Sequence, residues 1–226
     1  MKIAITIFRW IFVLCLPTLF IASSLAWGFN SLWLYEWGFQ KYRVSQSTGL
    51  SEAELNKAGK ALIDYFNSQD EYIHVTVVKD GRSFELFNQE EQIHFKDVKQ
   101  LVWLDYRVAL ITLIIVLAYA LTVIFLRQGK YRRYLARSLI WGSGLSIFLI
   151  LILGAASWLD FDQLFLQFHY LVFTNSYWSA QGYMLLLFPG EFWYDAVLVC
   201  IGFMAGLAII TGVAATIYLR LTRKGT

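Results

Sequence analysis

The chain has 226 residues, 58% hydrophobic and 15% charged, with mean hydropathy +0.53 and a formal net charge of +3. An ordinary soluble domain carries roughly 45–50% apolar and about 25% charged residues, so a water-soluble globule, which could not hide this much apolar surface, is excluded. The small positive excess is gathered at the ends of apolar runs, not in a basic patch interleaved with aromatics, and nucleic acid is not an expected partner.

The first apolar run, residues 8–27, is long enough to cross a hydrocarbon layer that needs about 20 apolar residues. Lys2 and Arg9 at its start and Ala22-Ser23-Ser24-Leu25-Ala26 at its end give it the look of a signal peptide. Three further runs follow, at 108–126, 139–158 and 196–219, and a retained anchor that completes an even set of spans fits better than cleavage. The stretch 127–137 holds Arg127, Lys130, Arg132, Arg133 and Arg137 with no acid, and the tail adds Arg220, Arg223 and Lys224. Because basic residues are retained on the cytoplasmic face, both termini and that connector are expected inside. The expected architecture is an α-helical integral membrane protein with four transmembrane helices, N-in and C-in, forming one membrane domain over 1–226.

All 16 acidic residues and all 3 histidines fall in two segments, 28–107 and 159–195, which this topology places outside. The first is large enough for a small α+β extracytoplasmic cap. Ser51 and Glu54 make a capping box before Leu55, Ala58, Leu62 and Phe66, which predicts an amphipathic helix ending near Asn67. The stretches 73–78 and 83–87 flank Asp80-Gly81 and predict a β-hairpin. Asn88 and Glu91 form a second capping signal, for a helix that carries His94 and runs on into the second span.

Segment 159–195 is aromatic and is expected to lie at, or dip into, the outer interface. Residues 164–173 are too few to span, and Leu164, Phe165, Phe168 and Val172 have helical spacing with His169 beside them. Trp178 and Trp193 suit a headgroup region. Cys15 and Cys200 lie inside proposed spans, away from an oxidising exterior, so no disulfide is expected. Gly142, Gly144, Gly202 and Gly206 suggest close helix packing, with Gly202 and Gly206 a weak G-x-x-x-G match. Ionisable residues are nearly missing from the spans, which counts against a transporter.

The candidate chemistry is histidine chemistry. On a helix Glu90 and Asp97 stand at i−4 and i+3 from His94, where either carboxylate can orient the ring, and a tuned histidine is the usual general base near neutral pH. The bland reading is a solvated charged face above a membrane. His169 is in the company of packed aromatics, but Asn175 and Tyr177 follow it closely and can supply hydrogen bonds. His74 alternates with Ile73 and Val75 on a solvated hairpin face and reads as structural. A zinc site would have to draw His94, Asp97 and His169 from two segments without an H-E-x-x-H motif, so neither metal nor cofactor is expected.

Three blocks resemble the lipoprotein intramolecular transacylases (Lit) and their four-helix membrane relatives. They are Thr48-Gly49-Leu50-Ser51, the stretch 86–99 with its I-H-F-K-D-V-K core, and 168–193 with F-H-x-x-x-F-x-N-x-x-W followed by F-P-G-E-F-W. The Asp-Pro element common in that family after the Trp is replaced here by Trp178-Ser179-Ala180-Gln181-Gly182. The resemblance implies an enzyme of the bacterial cytoplasmic membrane, active on its outer face. It implies transfer of the sn-2 acyl chain of a lipoprotein's diacylglyceryl-cysteine to its own N-terminal amine, leaving a lyso-form lipoprotein. His94 and His169 match the family's two functional histidines. His94 is then expected to act as base, supported by Asp97 or Glu90. His169 or Asn175 is expected to steady the oxyanion or protonate the leaving alcohol; the two histidines can also be assigned the other way round. The rival reading is non-enzymatic, a membrane protein whose cap binds a lipid or a partner protein.

Overall fold

A computed structural model describes residues 2–125 and 130–223. In chain order it has α1 (Lys2–Asn30), α2 (Leu32–Lys41), α3 (Val44–Thr48), α4 (Glu52–Asn67), β1 (Thr76–Lys79), β2 (Arg82–Glu85), α5 (Gln89–Phe125) and α6 (Lys130–Val172). A 3-10 turn at Tyr177–Ser179, α7 (Tyr183–Leu187) and α8 (Gly190–Arg223) complete it. Helices α1, α5, α6 and α8 are each long and apolar enough to cross a membrane. Helices α1, α6 and α8 contain the predicted spans 8–27, 139–158 and 196–219 and run past them at both ends, and α5 covers the second span as far as Phe125, because flanking residues continue the same backbone ladder. Residue 126, the last of the predicted second span, and 127–129 of the predicted connector lie outside the described residues; from Lys130 onward the chain is already helical.

The chain divides into two compact units. The first comprises Met1–Leu25, Asp105–Ala155 and Val199–Thr226. Its core is Leu16 and Phe20 of α1, Ile150 of α6, and Met204 and Ala208 of α8, with Val116 of α5 packed against them. Leu110, Ile114, Leu117, Ile152 and Ile210 point outward and exposed, as they must where the surrounding solvent is hydrocarbon. Of the four glycines that suggested close packing, only Gly142 is used that way: a Cβ there would fall 2.7 Å from Leu16 Cδ2. Gly144, Gly202 and Gly206 face open space, so the G-x-x-x-G match closes no helix contact among the described residues.

The second unit comprises Ala26–Leu104 and Ala156–Leu198. Ser51 caps α4, its side chain accepting from Glu54 N at 3.3 Å. The box is half used, because the Glu54 carboxylate accepts from Val78 N at 3.1 Å and so ties α4 to the hairpin. The predicted stripe of α4, Leu55, Ala58, Leu62 and Phe66, is buried, and Tyr65 joins it. The hairpin turns at Asp80 and Gly81, with φ of 51° and 74°, the left-handed pair that a two-residue turn requires. It is shorter than predicted, since Ile73 to Val75 make no ladder of their own beyond the bond from Leu86 N to Val75 O at 2.8 Å.

Candidate active site

The site begins at the cap of α5. Asn88 Oδ1 accepts from Glu91 N at 3.0 Å, and Glu91 Oε2 accepts from Asn88 N at 2.8 Å. This reciprocal pair fixes where the helix starts, and therefore which face His94 presents. Phe95 beside it is buried against Phe87, ring centroids 4.7 Å apart, and against Phe66. Further along, Lys99 Nζ donates to Asp70 O at 2.7 Å and Trp103 Nε1 to Phe66 O at 2.9 Å. These bonds hold the polar half of α5 to the end of α4.

His169 is positioned by a break in α6. At Asp160 the backbone leaves helical geometry (φ −162°, ψ 85°), and Asp160 Oδ1 accepts from Gln163 N at 3.0 Å, capping the part that follows. The inward line on that part is half-buried Phe161 and Phe165 and buried His169, spaced by four residues, whereas Leu164 and Phe168 of the predicted stripe are exposed. Phe161 and Phe165 stack at 5.7 Å, and Phe165 meets the His169 ring at 4.3 Å. His169 Nδ1 lies 2.7 Å from Phe165 O. A carbonyl can only accept, so Nδ1 carries the proton and Nε2 of the neutral ring is bare.

The two histidines meet. Their ring centroids are 6.1 Å apart, tilted by 31°. Phe173 packs against both, at 4.9 Å from His94 and 5.4 Å from His169, and Trp178 closes on His169 at 5.0 Å. Both imidazoles are buried, at 7% and 6% exposure. His94 Nδ1 has no hydrogen-bond partner among the described residues. Both rings lie outside the apolar runs 108–125 and 139–158. Burial is the main reason the His94 pKa falls to about 4; His169 pushes the same way and Asp97 partly opposes. Burial also lowers His169, with the Phe165 carbonyl acting in the opposite direction. At neutral pH the pair is uncharged and can take up a proton without first losing one.

The other expected residues divide. Asp97 and Asn175 come together, Asn175 Nδ2 donating to Asp97 Oδ2 at 2.9 Å, while Asn175 Oδ1 accepts from Tyr177 N at 3.0 Å. Glu90 is exposed and makes no hydrogen bond or ion pair with His94 among the described residues. His74 is exposed beside Glu85, 3.6 Å away, and takes no part. No group of three His, Cys, Asp or Glu among the described residues could hold a metal ion. The aromatic enclosure of Phe165, Phe173 and Trp178 is not evident in the sequence, where Glu91 shows only as a cap. The i−4 spacing of Phe161, Phe165 and His169 was the available signal.

The family model for the lipoprotein intramolecular transacylase Lit matches residues 10–193. The chain belongs to the Lit family. Members of this family are enzymes, lipoprotein transacylases. Among solved structures, the membrane-integral transacylase Lit from Bacillus cereus shares the fold, with 18% identity, a TM-score of 0.77 and 100% of each chain covered. Two variants of that protein, in which one histidine is replaced by arginine or by alanine, are 19% identical with TM-scores of 0.79. They cover 98% and 97% of this chain and 94% and 95% of their own. A search of curated proteins gave no match.

Proposed function

We propose that this Lit family member moves the sn-2 acyl chain of a lipoprotein's N-terminal diacylglyceryl-cysteine to the α-amine of the same cysteine. The amine nitrogen attacks the ester carbonyl carbon, the bond from that carbon to the glycerol sn-2 oxygen breaks, and a free hydroxyl and an N-acyl amide result. The amine gives up a proton and the glycerol oxygen gains one. The single observation that carries the proposal is the buried approach of His94 and His169 to 6.1 Å. Two proton-handling groups at that separation match a reaction that takes one proton and returns one.

The hydrogen bonding favours one division of labour. His169, with its proton held on Nδ1 by Phe165 O, offers a bare Nε2 and is the base. A buried nitrogen without a partner is cheaper as a lone pair than as an N–H, so His94 carries its proton on Nε2 and donates it to the oxyanion or the leaving oxygen. Asp97 and Asn175 hold the segment between them in place and do not touch the reacting atoms. Because amine and ester belong to one molecule, orientation alone supplies up to about 7–11 kcal/mol of the barrier reduction, and little further machinery is required.

The same reading places the protein in the bacterial cytoplasmic membrane as one domain over 1–226 with both termini inside. Residues 28–107 form an extracytoplasmic cap and 159–195 an outer interfacial segment. Arg132, Arg133, Arg137 and Arg220 at one end of the apolar runs, and the acids at the other, support this orientation. The test is expression with a model lipoprotein and mass spectrometry of its N-terminal lipopeptide. The acyl chain is expected on nitrogen with the wild type and to stay on oxygen with His94→Ala or His169→Ala. Unchanged diacylglyceryl-cysteine with abundant, folded wild type overturns the reaction; full activity in both variants overturns the site.

A further inference from the structure

The buried carboxylate of Glu91 has work beyond capping α5. It is 1% exposed, yet burial of a carboxylate is costly unless its oxygens are engaged. Glu91 Oε2 accepts from Asn88 N at 2.8 Å, and Oε1 accepts from Met184 N at 2.6 Å, 93 residues away. Burial raises its pKa, and the two backbone donors oppose that rise. Beside it, Asn88 Nδ2 donates to Gln181 O at 3.1 Å, so the first turn of α5 grips this loop at two points.

Gly182 carries the second half of the device. Its backbone is extended (φ 176°), a conformation any residue adopts, so conformational freedom does not explain the glycine. Space does: a Cβ there would sit 2.3, 2.4 and 2.6 Å from Glu91 Oε1, Cδ and Oε2. The loop backbone can come down onto the carboxylate only because position 182 has no side chain. What this fixes matters for the site. Glu91 is one helical turn before His94, and the gripped segment carries Asn175 and Trp178 at its other end, the latter against His169.

We infer that Glu91, with Gly182 against it, is a positioning residue that holds the 175–184 loop at the start of α5 and so sets the placement of Asn175 and Trp178 about the two histidines. The inference rests on the reading of His94 and His169 as the reacting pair. Glu91 touches no reacting atom; it acts through the loop. Its carboxylate, with two acceptor oxygens for two backbone donors, is what the position demands. The amide of Glu91→Gln offers one acceptor and turns an NH2 toward the other donor.

The experiment uses the full-length protein in lipid nanodiscs, with Glu91→Gln, Glu91→Ala, Gly182→Ala and the double variant Glu91→Ala/Gly182→Ala. In Glu91→Gln, amide exchange is expected to accelerate at Met184 and over 175–184 while α4 stays protected, and kcat to fall about ten- to a hundredfold with KM little changed. Gly182→Ala should reproduce both effects in the wild-type background and add little in the Glu91→Ala background, where the collision is gone. Additive effects of the two substitutions, or loop exchange in Glu91→Gln equal to wild type, would overturn the inference. So would loss of protection throughout the chain in Glu91→Gln, which would make the residue a general fold determinant. Should the wild type fail to transfer acyl groups, the reaction falls, and loop exchange and the coupling between positions 91 and 182 still decide whether Glu91 holds the loop.

Discussion

Asn175 donates to Asp97 Oδ2 at 2.9 Å, although 78 residues separate them, and this bond joins the helix of His94 to the turn that follows His169. A hydrogen bond to an ionised carboxylate contributes about 1.5–3 kcal/mol, enough to hold one turn in register. Asp97→Ala and Asn175→Ala are each expected to lower kcat about tenfold, and the double variant to do little worse than either alone. Steady-state kinetics of the four proteins measures that coupling. Independent, multiplicative losses would mean that the bond does not transmit position.

The contact between His169 Nδ1 and Phe165 O at 2.7 Å leads to a spectroscopic prediction. Nitrogen-15 NMR of histidine-labelled protein at pH 7 should show His169 protonated at Nδ1 and bare at Nε2. His169→Gln is expected to lose about a hundred- to ten-thousandfold in kcat, the usual contribution of a general base. A resonance pattern with the proton on Nε2 would contradict the assignment of His169 as base and return that role to His94.

Acid should weaken the fold in a defined window. His94 is held neutral in the folded protein, its pKa lowered to about 4 by burial, whereas in an unfolded chain a histidine titrates near 6.5. As pH falls through about 6.5 the unfolded state takes up the proton first, so stability is intact above that value and declines toward pH 4. The loss from this one group is about 3 kcal/mol. Denaturation of wild type and His94→Gln at several pH values checks it. The wild type should lose stability over that interval and the variant distinctly less; parallel curves would refute the depressed titration.

Much of this was legible in residue patterns, and the reason differs from element to element. The spans are visible because a bilayer imposes length and hydropathy on each helix separately. The caps at Ser51 and Asn88 are visible because a capping box is local, with donor and acceptor three residues apart. Length alone ends the third span at residue 158, and the break in α6 lies two residues on, at Asp160, which supplies the cap. What escaped depends on distant partners. Helix α2 has no clean apolar stripe in its sequence: its exposed face carries Trp33, and Leu34, Tyr35, Gly38 and Phe39 are buried. Glu54 looked like a capping residue and instead serves the hairpin. Glu90 and Asp97 were indistinguishable by spacing, and only the arrival of Asn175 makes one of them part of the site.

Two glycines of the second unit offer a stability contrast. Both Gly38 and Gly59 lie inside helices, where replacing Gly with Ala gains about 1 kcal/mol of intrinsic helix propensity. At Gly59 the added Cβ would meet Leu32, Tyr35 and Phe39 at 3.4–3.5 Å, ordinary contact, so the gain survives and Gly59→Ala should raise Tm slightly. At Gly38 it would fall 2.4 and 2.5 Å from the ring of Phe192, which is 2% exposed and has nowhere to turn. Overpacking of that kind costs about 1–3 kcal/mol and outweighs the propensity gain. Gly38→Ala is therefore expected to lower Tm, and Gly38→Ala combined with Phe192→Leu to recover part of the loss. Thermal unfolding in detergent orders the variants, and a Gly38→Ala protein as stable as Gly59→Ala would show that α2 does not depend on its close approach to Phe192.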